Sequence, residues 1–218
     1  MRTSVFGLTT LLLVSACSAS GTDTGGDDFG AFTRELNNYD EVMTESRPSL
    51  QFSDGATAHS CREYLELRRK ADVLEGVENR SHLADYRVCD TLQALKSAAP
   101  VQQPYRPDVP AGEVLRNRLD LRSFRSSLGP ASSHYHTLAE ISGELPVQVD
   151  DNTVTLESDD WYIQLEVVAR ADVDNDGHED WLIWLTDEAR EGNYRGYDSL
   201  VIHNVAGNGL LEASPIGP

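Results

Sequence analysis

The chain has 218 residues, with 36 Asp and Glu against 18 Lys and Arg, a formal charge of −18, and 39% hydrophobic residues. That balance argues against nucleic acid or an anionic membrane surface as a partner, since both need basic patches. The length suits one sizeable domain or two small ones. The acid is unevenly placed: fourteen Asp and Glu lie between Asp150 and Glu191 against only Arg170 and Arg190, whereas Cys61 to Lys96 carries seven basic and seven acidic residues. Acidity also serves solubility, so it does not by itself name a ligand.

The chain opens "MRTSVFGLTTLLLVSACSAS", with Arg2 ahead of a mostly apolar run from Val5 to Val14 and then small residues. The run is shorter than the roughly 20 apolar residues of a membrane span. It has the layout of a secretory signal. The ending, Val14, Ser15 and Ala16 leading into Cys17, resembles the lipobox of bacterial lipoproteins. The resemblance implies a signal peptide over 1–16, cleavage before Cys17, a diacylglycerol on Cys17 and acylation of the new amino terminus. Ser18 in place of Asp is similar to Gram-negative lipoproteins sent to the outer membrane, which implies a periplasm-facing anchor there. Several acyl chains exceed the two-signal threshold for stable anchoring, so the membrane partner is held by lipid and not spanned. The alternative is an ordinary secreted protein whose cleavage site contains a cysteine. The glycine-rich "SASGTDTGGDDFG" that follows reads as a flexible tether over 17–28.

Residues 29–130 read as mainly helical. "FTRELNNYDEVMTES" forms a short amphipathic helix stopped by Pro48. "SCREYLELRRKADVLEG" spaces Tyr64, Leu65, Leu67, Ala71 and Leu74 near helical periodicity. "SHLADYRVCDTLQALKSAAP" starts at a Ser81 cap and ends before Pro100. Together these suggest a helical hairpin. With Cys17 assigned to lipid, Cys61 and Cys89 remain, and an even pair in an oxidising compartment reads as a disulfide joining the two helices. Two free buried thiols are the alternative. The proline-rich "VQQPYRPDVPAG" is a linker or an extended crossing, and "EVLRNRLDLRSFRSSLG" a third helix bearing Arg116, Arg118, Arg122 and Arg125. Those arginines read as a solvated face paired with the acidic region, or as a docking surface for an anionic partner.

Residues 131–218 change to β character. "VTLES", "WYIQLEVVARA", "DWLIWLTD" and "DSLVIHNV" are β-branched and aromatic with turn residues between them. "WLIWL" suits a strand buried on both faces. Helices followed by strands give an α+β class with a C-terminal antiparallel sheet.

Between two of these strands runs "ADVDNDGHEDWLIWL". Asp172, Asp174, Asp176 and Asp180 occupy positions 1, 3, 5 and 9 of a loop whose sixth position is Gly177. Ca²⁺ takes six to eight oxygens, and alternating Asp residues wrap side-chain oxygens around one point. The cation would also cancel the repulsion among the carboxylates. Position 12, where an EF-hand places a bidentate Glu, is Ile183, so the loop departs from that pattern. It resembles the shorter DxDxDGxxD loop of FG-GAP repeats in integrin-type propellers. The resemblance implies a Ca²⁺ cofactor, side-chain ligands from Asp172, Asp174, Asp176 and Asp180, and a backbone carbonyl ligand from His178. With a single copy, the chain is not a propeller, and the reading is one calcium-clamped hairpin. A solvated acidic turn is the alternative.

His134 and His136 lie two apart, which on a strand puts both on one face, yet no third metal ligand is near. No nucleophile–base motif appears. The functional expectation is therefore a non-catalytic, lipid-anchored structural or adaptor protein that binds an envelope protein or cell-wall component. The alternatives are a cell-wall-associated hydrolase or inhibitor, and a calcium-responsive sensing module.

Overall fold

A computed structural model describes residues 32–128, 134–143 and 145–217. The signal segment 1–16, Cys17 and the tether to residue 28 lie outside the described residues. Mixed helix and sheet makes up the chain, with a six-stranded antiparallel sheet at its C-terminal end. The sheet is a meander in chain order: β3 (Val147–Val149), β4 (Thr153–Glu157), β5 (Trp161–Ala171), β6 (Asp180–Ala189), β7 (Arg195–Ile202) and β8 (Ala213–Pro215). A two-stranded ladder, β1 (Leu50–Gln51) with β2 (Thr57–Ala58), stands apart.

Side chains alternate between the faces of a strand, so apolar residues two apart share a face. Ile163, Leu165, Trp181, Ile183, Leu185, Leu200 and Ile202 form one buried face. It packs on Val114 and Leu115 of α6 (Ala111–Arg118), on Leu119, Leu121 and Phe124, and on Leu138 and Ile141 of α7 (Leu138–Ile141). The opposite face, Leu182 and Val201 with the partly buried Trp184, packs on Leu92 and Leu95 of α5 (Arg87–Ser97) and on Phe32 just ahead of α1 (Thr33–Asn37). Both sides of β6 are thus covered by helix, and its first four residues are buried. A bulge between Val167 and Ala169 moves Ala169 and Ala171 onto the α5 face.

The third cluster surrounds the disulfide. Cys61 and Cys89 are bonded, at 2.04 Å between sulfurs, and pack with Leu50, Phe52, Tyr64 and Tyr86. Cys61 opens α3 (Cys61–Arg68), whose start is fixed because Ser60 Oγ accepts the Glu63 N–H while the Glu63 carboxylate accepts the His59 N–H. Asp90, on α5, takes hydrogen bonds from Tyr64 and Arg68 across that joint.

Several helices differ from their sequence pattern. The segment from Phe32 divides into α1 and α2 (Tyr39–Thr44), with Asn38 at the break. Ser81 does not cap a helix: it lies within α4 (Val77–His82), its hydroxyl donating to the Glu78 carbonyl, and α5 begins later, after a 3₁₀ turn at Leu83–Tyr86. The helix at 111 stops at Arg118 because Asp120 N–H and the Leu211 carbonyl, with Leu211 N–H and the Arg118 carbonyl, pull the chain into strand-like pairing. Among the described residues no helix is long and apolar enough to cross a membrane.

Candidate metal centre

The acidic loop joins β5 to β6, and its two ends are held by the sheet, since Ala171 pairs with Asp180. Asp172 and Asp180 are almost wholly buried at 1% and 0% exposure, while Asp174 and Asp176 are exposed. The buried pair is kept from being orphaned by the loop's own amides. Asp172 Oδ1 accepts from Asp176 N–H at 3.0 Å and Oδ2 from Gly177 N–H at 2.9 Å. Asp180 Oδ2 accepts from Val173 N–H at 2.9 Å and Oδ1 from Asn204 N–H at 3.0 Å. Asp176 N–H also reaches Asp174 Oδ1, and His178 N–H donates to Asp176 Oδ1 at 2.8 Å. Two residues take left-handed backbone to close the turn, Asn175 at φ 65° and Gly177 at φ 89°. Glycine enters that region without steric cost and asparagine at little, which is what the pattern asks of both positions.

The potential donor atoms fall into two groups, each within 4.8 Å: Asp172, Asp174 and Asp176 form one, and Asp174, Asp180 and His203 the other. His203 is the residue that spacing along the sequence misses. It arrives because β6 and β7 pair Trp181 with Ile202, which sets the next residue of each strand, Asp180 and His203, at the loop. Its Nδ1 lies 3.3 Å from Asp180 Oδ2 and 3.4 Å from Asp174 Oδ2. Contact with Asp180 raises the imidazole above its usual range against the opposing effect of burial. Burial pushes Asp180 up, but His203 and the amides of Asn204 and Val173 together hold it below the ordinary carboxylate range. Asp174 is raised, first by desolvation and then by repulsion from Asp180. The four carboxylates thus meet one imidazole and the loop's own amides, and both donor groups could hold a metal ion.

The proline-rich connection between α5 and α6 lies across this loop. Ala99 N–H donates to the Asp172 carbonyl, and the N–H groups of Gln102 and Gln103 both donate to the Gly177 carbonyl, at 3.0 and 2.9 Å. Glu179, buried beside the loop, accepts from Trp181 Nε1 at 2.9 Å and faces Tyr105 N–H. Among the other sequence candidates, His136 Nε2 is 3.2 Å from Arg122 Nη1, and Arg122 also pairs with Asp120. Arg118 bonds the carbonyls of Val205 and Gly209 and the Tyr105 hydroxyl, so it ties the 204–211 turn in place. Arg116 pairs with Glu113 on its own helix. No family profile, curated protein sequence or solved structure matches this chain.

Proposed function

We propose that this is a lipid-anchored envelope lipoprotein whose C-terminal hairpin is clamped by one Ca²⁺, with a structural or adaptor role and no catalysis of its own. Cys17 carries the lipid and the tether to residue 28 sets the reach from the outer membrane. The disulfide-linked helical hairpin and the sheet provide a rigid body for an envelope protein or cell-wall partner. The single observation behind the calcium reading is the convergence of Asp172, Asp174 and Asp176 within 4.8 Å in one amide-oriented loop. Asp180 and the His178 carbonyl complete the ligand set that the loop pattern implies. Carboxylates brought that close repel unless a cation lies between them, and hard oxygen donors favour Ca²⁺.

The test is the melting temperature of residues 18–218, which contain every described element, in EGTA and in millimolar Ca²⁺. Calcium at a hundred times its dissociation constant adds about 2.7 kcal/mol, a rise of roughly 5–10 °C for a chain of this size. No rise removes the calcium clamp. Expressed with its leader, the protein incorporates labelled palmitate, and Cys17→Ser abolishes the label; equal labelling would remove the anchor. A second reading, a calcium-responsive module, draws on the connection at 99–103, whose bonds to the loop would carry an ordering of the loop to α5. Slowed amide exchange at Ala99, Gln102 and Gln103 on adding Ca²⁺ would favour it over a purely structural site.

A further inference from the structure

We propose that Asp174, Asp180 and His203 hold a second metal ion, a borderline transition metal of the zinc class, beside the calcium position and sharing the carboxylates of Asp174 and Asp180 with it. The proposal depends on the calcium reading only through those two shared carboxylates. Its basis is the division of the donors. The second group contains an aromatic nitrogen contributed by the residue just past the end of β7, whereas the first contains oxygens alone. Calcium seeks oxygen, while imidazole suits zinc, copper, iron and nickel.

The distances suit ligands of one ion. His203 Nδ1 lies 3.3 Å from Asp180 Oδ2 and 3.4 Å from Asp174 Oδ2, almost evenly between them. Bonds of about 2.0–2.1 Å to a tetrahedral zinc put neighbouring donor atoms roughly 3.3 Å apart. The two carboxylates are already aimed. Asp174 turns Oδ1 to the Asp176 amide and Oδ2 to His203. Asp180 is fixed by the amides of Val173 and Asn204, the kind of outer contact that orients a metal ligand. Two carboxylates and one imidazole leave a fourth position. His203 also lines an open cavity of about 830 Å³ with Asn204, Asp120 and Ser123, so water reaches that side of the ring.

Residues 18–218 are titrated with Co²⁺ in saturating Ca²⁺, and the visible absorption of a four-coordinate cobalt site is followed. The expected result is one Co²⁺ per chain, displaced by one Zn²⁺. His203→Gln weakens Zn²⁺ binding by roughly a hundredfold or more, above the loss seen when only an outer contact is removed. The same variant keeps the calcium-dependent rise in melting temperature, while Asp172→Asn loses that rise and keeps the cobalt spectrum. Absence of Co²⁺ and Zn²⁺ binding, or binding indifferent to His203→Gln, overturns the proposal. A missing calcium response with an intact cobalt spectrum overturns the calcium reading alone. If His203→Gln fails to fold, paramagnetic broadening of the His203 ring signals by Co²⁺ in the wild type decides the matter, and unbroadened signals overturn the site.

Discussion

Asp172 carries a prediction that separates the loop's architecture from the proposed metal. Its carboxylate is 1% exposed and accepts two backbone amides, from Asp176 and from Gly177. In Asp172→Ala the buried Gly177 N–H loses its acceptor, while the Asp176 N–H keeps its bond to Asp174 Oδ1. An unsatisfied buried donor costs about 1–3 kcal/mol, and that is the expected loss. Relief of repulsion against Asp174 and Asp176 recovers part of that. With about 2–4 °C per kcal/mol in a chain of this length, the expected fall in melting temperature is roughly 2–12 °C, measured in EGTA where no calcium contributes. Asp172→Asn retains one acceptor oxygen and turns an NH₂ towards the other amide, so it should lose at least half as much. Differential scanning calorimetry of wild type and both variants gives the comparison. A change under about 2 °C for Asp172→Ala in EGTA would mean that the amides do not depend on this carboxylate, and that the loop is not organised before a metal binds.

Two further predictions lie away from the loop. Gly112 sits where α6 meets the β3–β4 turn, and a Cβ there would come within 2.3 Å of the Thr153 carbonyl oxygen and 2.4 Å of that of Asp150. Backbone cannot yield as a side chain can, so Gly112→Ala must lift the helix from the sheet; a loss of about 2–4 kcal/mol in urea unfolding is expected, in the upper range of overpacking, and a loss below 0.5 kcal/mol would contradict the packing. Burial pushes the Asp90 carboxyl up to about 6 despite Arg68 and Tyr64. The folded chain then binds a proton between about pH 4 and 6 that the unfolded chain releases, so Asp90's contribution is fully present below about 4 and is lost as pH rises through about 6. The whole shift is worth about 3 kcal/mol. Urea midpoints at pH 4.5 and 7 should therefore show a fall with rising pH in the wild type relative to Asp90→Asn; equal slopes would contradict it.

The sheet was readable in the sequence where strands are long. "WYIQLEVVARA" alternates and "WLIWL" does not, and these become a strand with one fully covered face and a strand covered on both. β3 and β8 escaped notice because three residues each are too few to show a period. The disulfide followed from counting cysteines once Cys17 was set aside, and it is present. Helix lengths were harder to read. Periodicity continues past Arg118 into Leu119 and Leu121, but pairing with Leu211, which no local pattern announces, ends the helix. His203 is hidden for the same reason. It stands far from the loop along the chain and close to it only through the β6–β7 register, so a reader needs the pairing before the histidine means anything.

The position of the acid beside the apolar run has a physical reason. Burying Asp172 and Asp180 would be costly in an isolated turn, because each carboxylate loses water. Here the loss is offset by amides that the sheet itself positions. Val173 and Asn204 stand at the ends of β5 and β7, and the buried core beneath Trp181 and Leu182 holds those ends fixed. The connection at 99–103 adds three donors to the carbonyls of Asp172 and Gly177, which stiffens the loop from outside the sheet. Small zinc domains, by contrast, fold only when metal arrives. In this chain the hairpin is framed by the sheet, so a cation at the loop would add stability to a formed turn and would not be required to create it.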